Sequence, residues 1–123
     1  MSDKKQFGVW MDAHHATVVG TDNLNGAKFV VLGYVKNAEP TGNSNEHTKH
    51  NHKATLQQKF FKEITALMQN VDEIYVTGTG EAQEQFIKYL SETPQYKHAV
   101  AKESTTNKMS DEKFIEMITA NYN

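Results

Sequence analysis

Asp72-Glu73-Ile74-Tyr75-Val76-Thr77-Gly78-Thr79-Gly80-Glu81 is the stretch on which the fold turns. Ile74 to Thr77 are β-branched or aromatic, the residue types that pack well on a pleated surface. Gly78-Thr79-Gly80 then closes the strand with a tight turn. From Glu81 to Ser91 the period changes: Ala82, Phe86 and Leu90 recur every fourth position, which is one face of a helix, and Pro94 stops it. A strand that passes through a glycine turn into a helix is a βα unit, so the chain is built at least partly of alternating β and α elements.

The segments on either side continue the alternation. Before the strand, Leu56, Phe60, Ile64, Leu67 and Met68 make an apolar stripe on a helix of about four turns. After Pro94, His98-Ala99-Val100-Ala101 reads as a short strand. Ser110-Asp111-Glu112 offers an N-cap and two first-turn acids, with Phe114, Ile115 and Ile118 forming the stripe of a last helix. The N-terminal third differs. Phe7 to Met11, Ala16 to Thr21 and Phe29 to Val35 read as strands, and Asp22-Asn23-Leu24-Asn25-Gly26 is a tight hairpin turn. Between Lys36 and His52 apolar periodicity disappears, and the composition predicts a long polar loop over 36–52. The order βββαβαβα predicts an α/β fold: a mixed five-stranded sheet with helices packed on it, in a single domain over residues 1–123.

Composition narrows the function classes. The chain has 123 residues, 37% hydrophobic and 23% charged, which suffices for one core without disulfides. No Cys is present, so thiolate nucleophiles, thiolate metal sites and iron–sulfur clusters are excluded. All 13 basic residues are Lys, so anion binding cannot use the bidentate Arg fork, and sequence readout of DNA is not expected. Residues 1–62 hold 8 Lys against 5 acids, whereas residues 63–123 hold 5 against 10, which favours the first half as the side facing an anionic partner. The polar N-terminus and the lack of an 18-residue apolar run lead to the expectation of a cytoplasmic protein without membrane association.

Four groups of residues are candidates for chemistry. Gly78, Thr79 and Gly80 open a helix, where free amides could face a phosphate, although Glu81 sets a negative charge there and the spacing matches no nucleotide fingerprint. His14 and His15 follow the first strand, and His47, His50 and His52 fall in the polar stretch, where H-x-x-H-x-H could hold zinc or simply be solvated. Lys49 and Lys53 flank them. Asp12 ends the first strand, as a metal-binding acid of a ribonuclease H-like nuclease would, or as an ordinary turn residue would. No cofactor or resident metal is expected.

Together these residues resemble a family. Trp10-Met11-Asp12-Ala13-His14-His15-Ala16, the His-bearing stretch running into paired Phe (His52 to Phe61), Ile74 to Ala82 ending in Gly-x-Gly-Glu-Ala, and the polar run from Ser104 to Asp111 are similar to marks of small bacterial "translational machinery" proteins. These are related to the middle domain of the archaeal and eukaryotic class 1 peptide-chain release factor. The resemblance implies a ribonuclease H-like fold and a role at the ribosome. Two departures bear on function: no Gly-Gly-Gln is present, so peptide release is not carried over, and Thr79 and Gln83 stand where many relatives have Pro and Lys. The resemblance and the Lys excess of the first half together imply a non-enzymatic ribosome- or RNA-binding protein that makes contact through Asp12, His14 and His15 with the loop from Lys36 to Lys53, which holds Lys36, Lys49, His50, His52 and Lys53. A metal-dependent nucleic-acid hydrolase using Asp12 is the alternative.

Overall fold

The computed structural model describes residues 5–22, 28–37 and 46–122, except the side chains of Asp22 and of residues 46–55. Strands β1 (Gln6–Met11), β2 (His15–Asp22) and β3 (Lys28–Lys36) precede helix α1 (Glu46–Ala66). Strand β4 (Glu73–Gly78), α2 (Glu81–Glu92), β5 (Val100–Thr105) and α3 (Asp111–Tyr122) follow. The described residues form a five-stranded sheet in the order β3-β2-β1-β4-β5. β1–β2 and β2–β3 are antiparallel, whereas β1–β4 and β4–β5 are parallel. This is the mixed five-stranded sheet that the element order predicts.

β1 is the centre of the fold. It pairs on both edges from Phe7 to Met11, and those five residues are buried, as both faces of a central strand require. Val9, Met11, Val18, Ile74 and Val76 face α1 and α2, where they meet Phe60, Phe61, Ile64, Phe86 and Leu90. On the other face Trp10 and Val19 pack with Phe29, Phe114 and Ile118. Gly8 lets α3 close on the sheet: a Cβ there would lie 2.6 Å from Ile118 Cδ1.

A β-bulge sets which way β3 faces. Val18 pairs with Gly33 but Val19 pairs with Val31, leaving Leu32 unopposed. The extra residue reverses the side-chain alternation, so Phe29 and Val31 belong to the α3 side while Val35 belongs to the α1 side.

Two elements differ from expectation. α1 begins at Glu46, so residues 46–52 of the predicted 36–52 loop are helical, and 38–45 lie outside the described residues. The nearest helix breakers, Pro40 and Gly42, are upstream of Glu46, and nothing between 46 and 66 forbids a helix. Apolar spacing marks only the packed part of a helix, and here it starts at Leu56. The tight turn read at 22–26 likewise falls mostly outside the described residues. β5 runs from Val100 to Thr105 rather than over 98–101. Its residues are almost all exposed, so no apolar alternation announces it.

Hydroxyls hold β5 in place of apolar burial. Tyr75 Oη donates to Ser104 Oγ at 2.9 Å, which donates to Thr77 Oγ1 at 2.8 Å. Thr77 Oγ1 in turn donates to the Ser104 carbonyl at 3.1 Å and lies 2.9 Å from Thr106 Oγ1. Thr77 is fully buried, so replacing it by Val strands its partners and should cost about 1–3 kcal/mol. Urea unfolding would show a lowered midpoint for Thr77→Val and little change for the exposed Thr79→Ala.

Candidate functional site

The helices fix which residues share an end of the sheet. Gln57 hydrogen-bonds Gln85, the Phe61 ring lies 5.3 Å from that of Phe86, and Tyr96 Oη donates to the Thr65 carbonyl at 3.4 Å. α1 and α2 therefore run side by side in the same direction, both opposite to β4. The first turns of α1, residues 46–55, extend about 15 Å beyond Leu56 toward the end where β1 and β4 finish. That end gathers the Asp12–His15 turn, Lys36 and Asn37, the Gly78–Gly80 turn and Thr105 to Thr106, and the helix axis carries Lys49 to Lys53 toward the same side.

Asp12 organises the β1–β2 turn. Its Oδ1 accepts from the amides of His14 at 2.8 Å and His15 at 2.6 Å, and its own amide donates to the His15 carbonyl at 2.9 Å. This carboxylate-to-amide arrangement is why an Asp initiates the turn. Asn37 ties the turn to the end of β3: its amide donates to the His14 carbonyl at 2.8 Å and its Nδ2 to the Ala13 carbonyl at 3.0 Å. His14 and His15 are both exposed, with ring centroids 6.4 Å apart, and His15 Nδ1 is 3.7 Å from Asp12 Oδ1. Lys36 lies directly across from His15 in the ladder, so two groups able to carry positive charge sit on this rim.

Beside this turn, β4 ends against β1. Gly78 pairs with Met11, and a Cβ at 78 would lie 1.9 Å from the Met11 carbonyl oxygen, so only glycine allows the strands to come this close. Gly80, at φ 154°, turns the chain into α2. Gln83, fully buried, completes the turn: its Oε1 accepts from the Gly80 amide at 2.8 Å. Its Nε2 donates to the Ser104 carbonyl and to Thr105 Oγ1, both at 3.2 Å. The Gly80 amide that a bound phosphate would use is thus held by the chain's own Gln83, and Glu81 and Glu84 stand in the first turn of α2. This geometry supports an internally capped helix start that links α2 to β5.

The structure places Asp12, His14 and His15 at the same end of the sheet as Gly78, Thr79 and Gly80, because Met11 and Gly78 pair where β1 and β4 finish. Lys49, His50, His52 and Lys53 stand on a helix rather than a loop, and their side chains lie outside the described residues. Among the described residues, no three His, Asp or Glu side chains converge as a metal-binding set. Sequence reasoning missed Asn37 and the structural part of Gln83. The only signal for either was a polar residue next to a strand end or helix start. At the opposite end of the sheet a groove of about 650 Å³, lined by Thr65, Asn70, Asp72, Tyr96 and His98, contains none of the residues selected from sequence.

No family model and no curated protein sequence matches the chain. Solved structures do match it. The Pelota protein of Thermoplasma acidophilum superposes with a TM-score of 0.60 at 18% identity, over 94% of this chain and 32% of that one. Pelota of Archaeoglobus fulgidus gives 0.60 at 12% identity over 98% and 32%. The archaeal translation termination factor aRF1 gives 0.56 at 15% over 85% and 31%. The chain thus has the fold of a release-factor-type domain, and it spans about a third of the length of these structures. No described helix is long and apolar enough to cross a membrane.

If Asp12 acts through its turn, Asp12→Ala should lower stability by about 1–2 kcal/mol, because two amides lose their acceptor. Asp12→Asn, which keeps an acceptor oxygen, should lose less than half of that. Chemical denaturation of both variants checks this, and equal losses for Asn and Ala would contradict the turn role.

Proposed function

We propose that this chain is a ribosome- or RNA-associated module similar to the release-factor middle domain, without peptide-release activity. The observation that carries the reading is the likeness to Pelota over nearly the entire chain, together with the likeness to a protein named as a translation termination factor. The absence of Gly-Gly-Gln from the sequence argues against hydrolysis of peptidyl-tRNA by this chain. No catalytic role is assigned to Asp12, whose Oδ1 serves two amides of its own turn.

The contact surface in this reading is the end of the sheet built from Asp12, His14, His15 and Lys36, extended by the first turns of α1 with Lys49, His50, His52 and Lys53. The rim belongs to the half of the chain with a Lys excess, and it stands on β1, β2 and β3, which are anchored in both cores. Lysines act on phosphate as point charges, so the association is electrostatic, tolerant of sequence and weakened by salt.

Co-sedimentation with ribosomes tests the reading. The protein should pellet with ribosomes at low salt and be released as salt rises. The triple variant Lys36→Glu, Lys49→Glu and Lys53→Glu should remain free at both salts while keeping its fold. Undiminished pelleting of the triple variant would remove this surface. Free wild-type protein at low salt would remove the association itself.

A further inference from the structure

The two edges of the sheet are built differently. The β3 edge is blunted by the bulge at Leu32, and lysines stand at both ends of the strand. β5 has no bulge, and its charges, Lys102 and Glu103, stand mid-strand with opposite signs. It pairs with β4 in six unbroken steps from Val100 to Thr105, and among the described residues no strand lies against its other edge. Five of its six residues are exposed, and Val100 keeps 58% of its surface open.

The direction of its peptide groups follows from the bonds it makes. Val100 N donates to the Asp72 carbonyl at 2.9 Å and Thr106 N to the Gly78 carbonyl at 2.8 Å, while the Ser104 carbonyl accepts from Thr77 and Gln83. The even-numbered peptide groups therefore face β4. By the two-residue period of a strand, the N–H and C=O groups of Ala101, Glu103 and Thr105 face outward. Three donor–acceptor pairs are offered to an extended chain, which is the requirement for strand addition.

Charge identifies the occupant. A two-fold pair of β5 strands is antiparallel and brings together only residues of the same parity. The two closest registers to full overlap thus set Lys102 against Lys102 or Glu103 against Glu103, both unfavourable. A second copy is a poor fit. We propose that the outer edge of β5 docks an extended segment of a different protein, added antiparallel as a sixth strand. That segment carries a basic residue opposite Glu103, an acidic residue opposite Lys102 and an apolar residue opposite Val100. Read from its N-terminus the segment is basic, acidic, any residue, apolar. Lys102 lies with its Nζ 5.2 Å from the Tyr122 ring centroid, which steadies one of the two reading charges.

The probe is the capped peptide Thr-Val-Thr-Lys-Glu-Thr-Val-Thr, titrated into the labelled protein and followed by amide chemical shifts. Its Glu-Lys counterpart is the control. The expected result is shifts centred on Ala101, Glu103 and Thr105, with about fivefold preference for the Lys-Glu order. The exposed double variant K102E/E103K should reverse that preference. Ala101→Pro, which removes an outward N–H and leaves the bonds to β4 intact, should abolish binding. Equal affinity for the two orders, shifts away from β5, no binding at millimolar peptide, or concentration-dependent dimerisation lost in Ala101→Pro would each overturn the proposal.

Discussion

Gly78 approaches the Met11 carbonyl so closely that no side chain fits between β1 and β4 at their shared end. With the Met11 carbonyl where a Cβ at 78 would otherwise stand, β1 and β4 finish level and in contact. Everything at that end follows from this join. The chain leaves β1 into the Asp12 turn and leaves β4 into the Gly80 turn, so the two lie side by side. Gln83 then fastens the start of α2 to the end of β5, and Thr106 N returns to the Gly78 carbonyl. A position built this way is rigid because backbone meets backbone, with no side chain able to give.

Polarity is distributed to match. The sheet centre is apolar on both faces, with Val9, Met11 and Trp10 buried in β1. Outward from β4 the bonding changes from burial to hydroxyl contacts among Tyr75, Thr77, Ser104 and Thr106. β5 is accordingly held by directional bonds and exposed on its faces, a combination suited to a strand that remains accessible at the surface. On the opposite edge, Tyr34 hydrogen-bonds Asp111 and ties β3 to the first turn of α3. One edge strand is thus tied to its helix by a side-chain bond, and the rim of Asp12, His15 and Lys36 stands nearer that edge.

Much of this was legible in the sequence, for physical reasons that can be named. Buried elements announce themselves: the stripe Phe60, Ile64, Met68, the strand Ile74 to Thr77 and the stripe Phe86, Leu90 all fell where periodicity placed them. The turn residues Asp12, Gly78 and Gly80 were readable because each supplies a conformation or an acceptor that few residues can. What stayed hidden lacked an apolar signal. Glu46 to Thr55 contain no apolar stripe in sequence, and β5 is a strand by virtue of its neighbour β4, which is a long-range fact. Asn37 and Gln83 were invisible for the same reason: a polar residue at a strand end or helix start becomes structural only once its partner's position is known. The resemblance to release-factor middle domains supplied the fold family that spacing alone left open, and the superposition on Pelota bears out that fold.

Native-state amide hydrogen exchange reads this organisation most directly. The account predicts that the amides of Val9, Trp10, Met11, Val76 and Thr77 exchange only with global unfolding. Along β5 protection should alternate: Lys102 and Ser104 slow, Ala101, Glu103 and Thr105 fast. Uniform protection along β5 would contradict the open edge, and exchange in β1 as fast as at the sheet edges would contradict the central β1–β4 join.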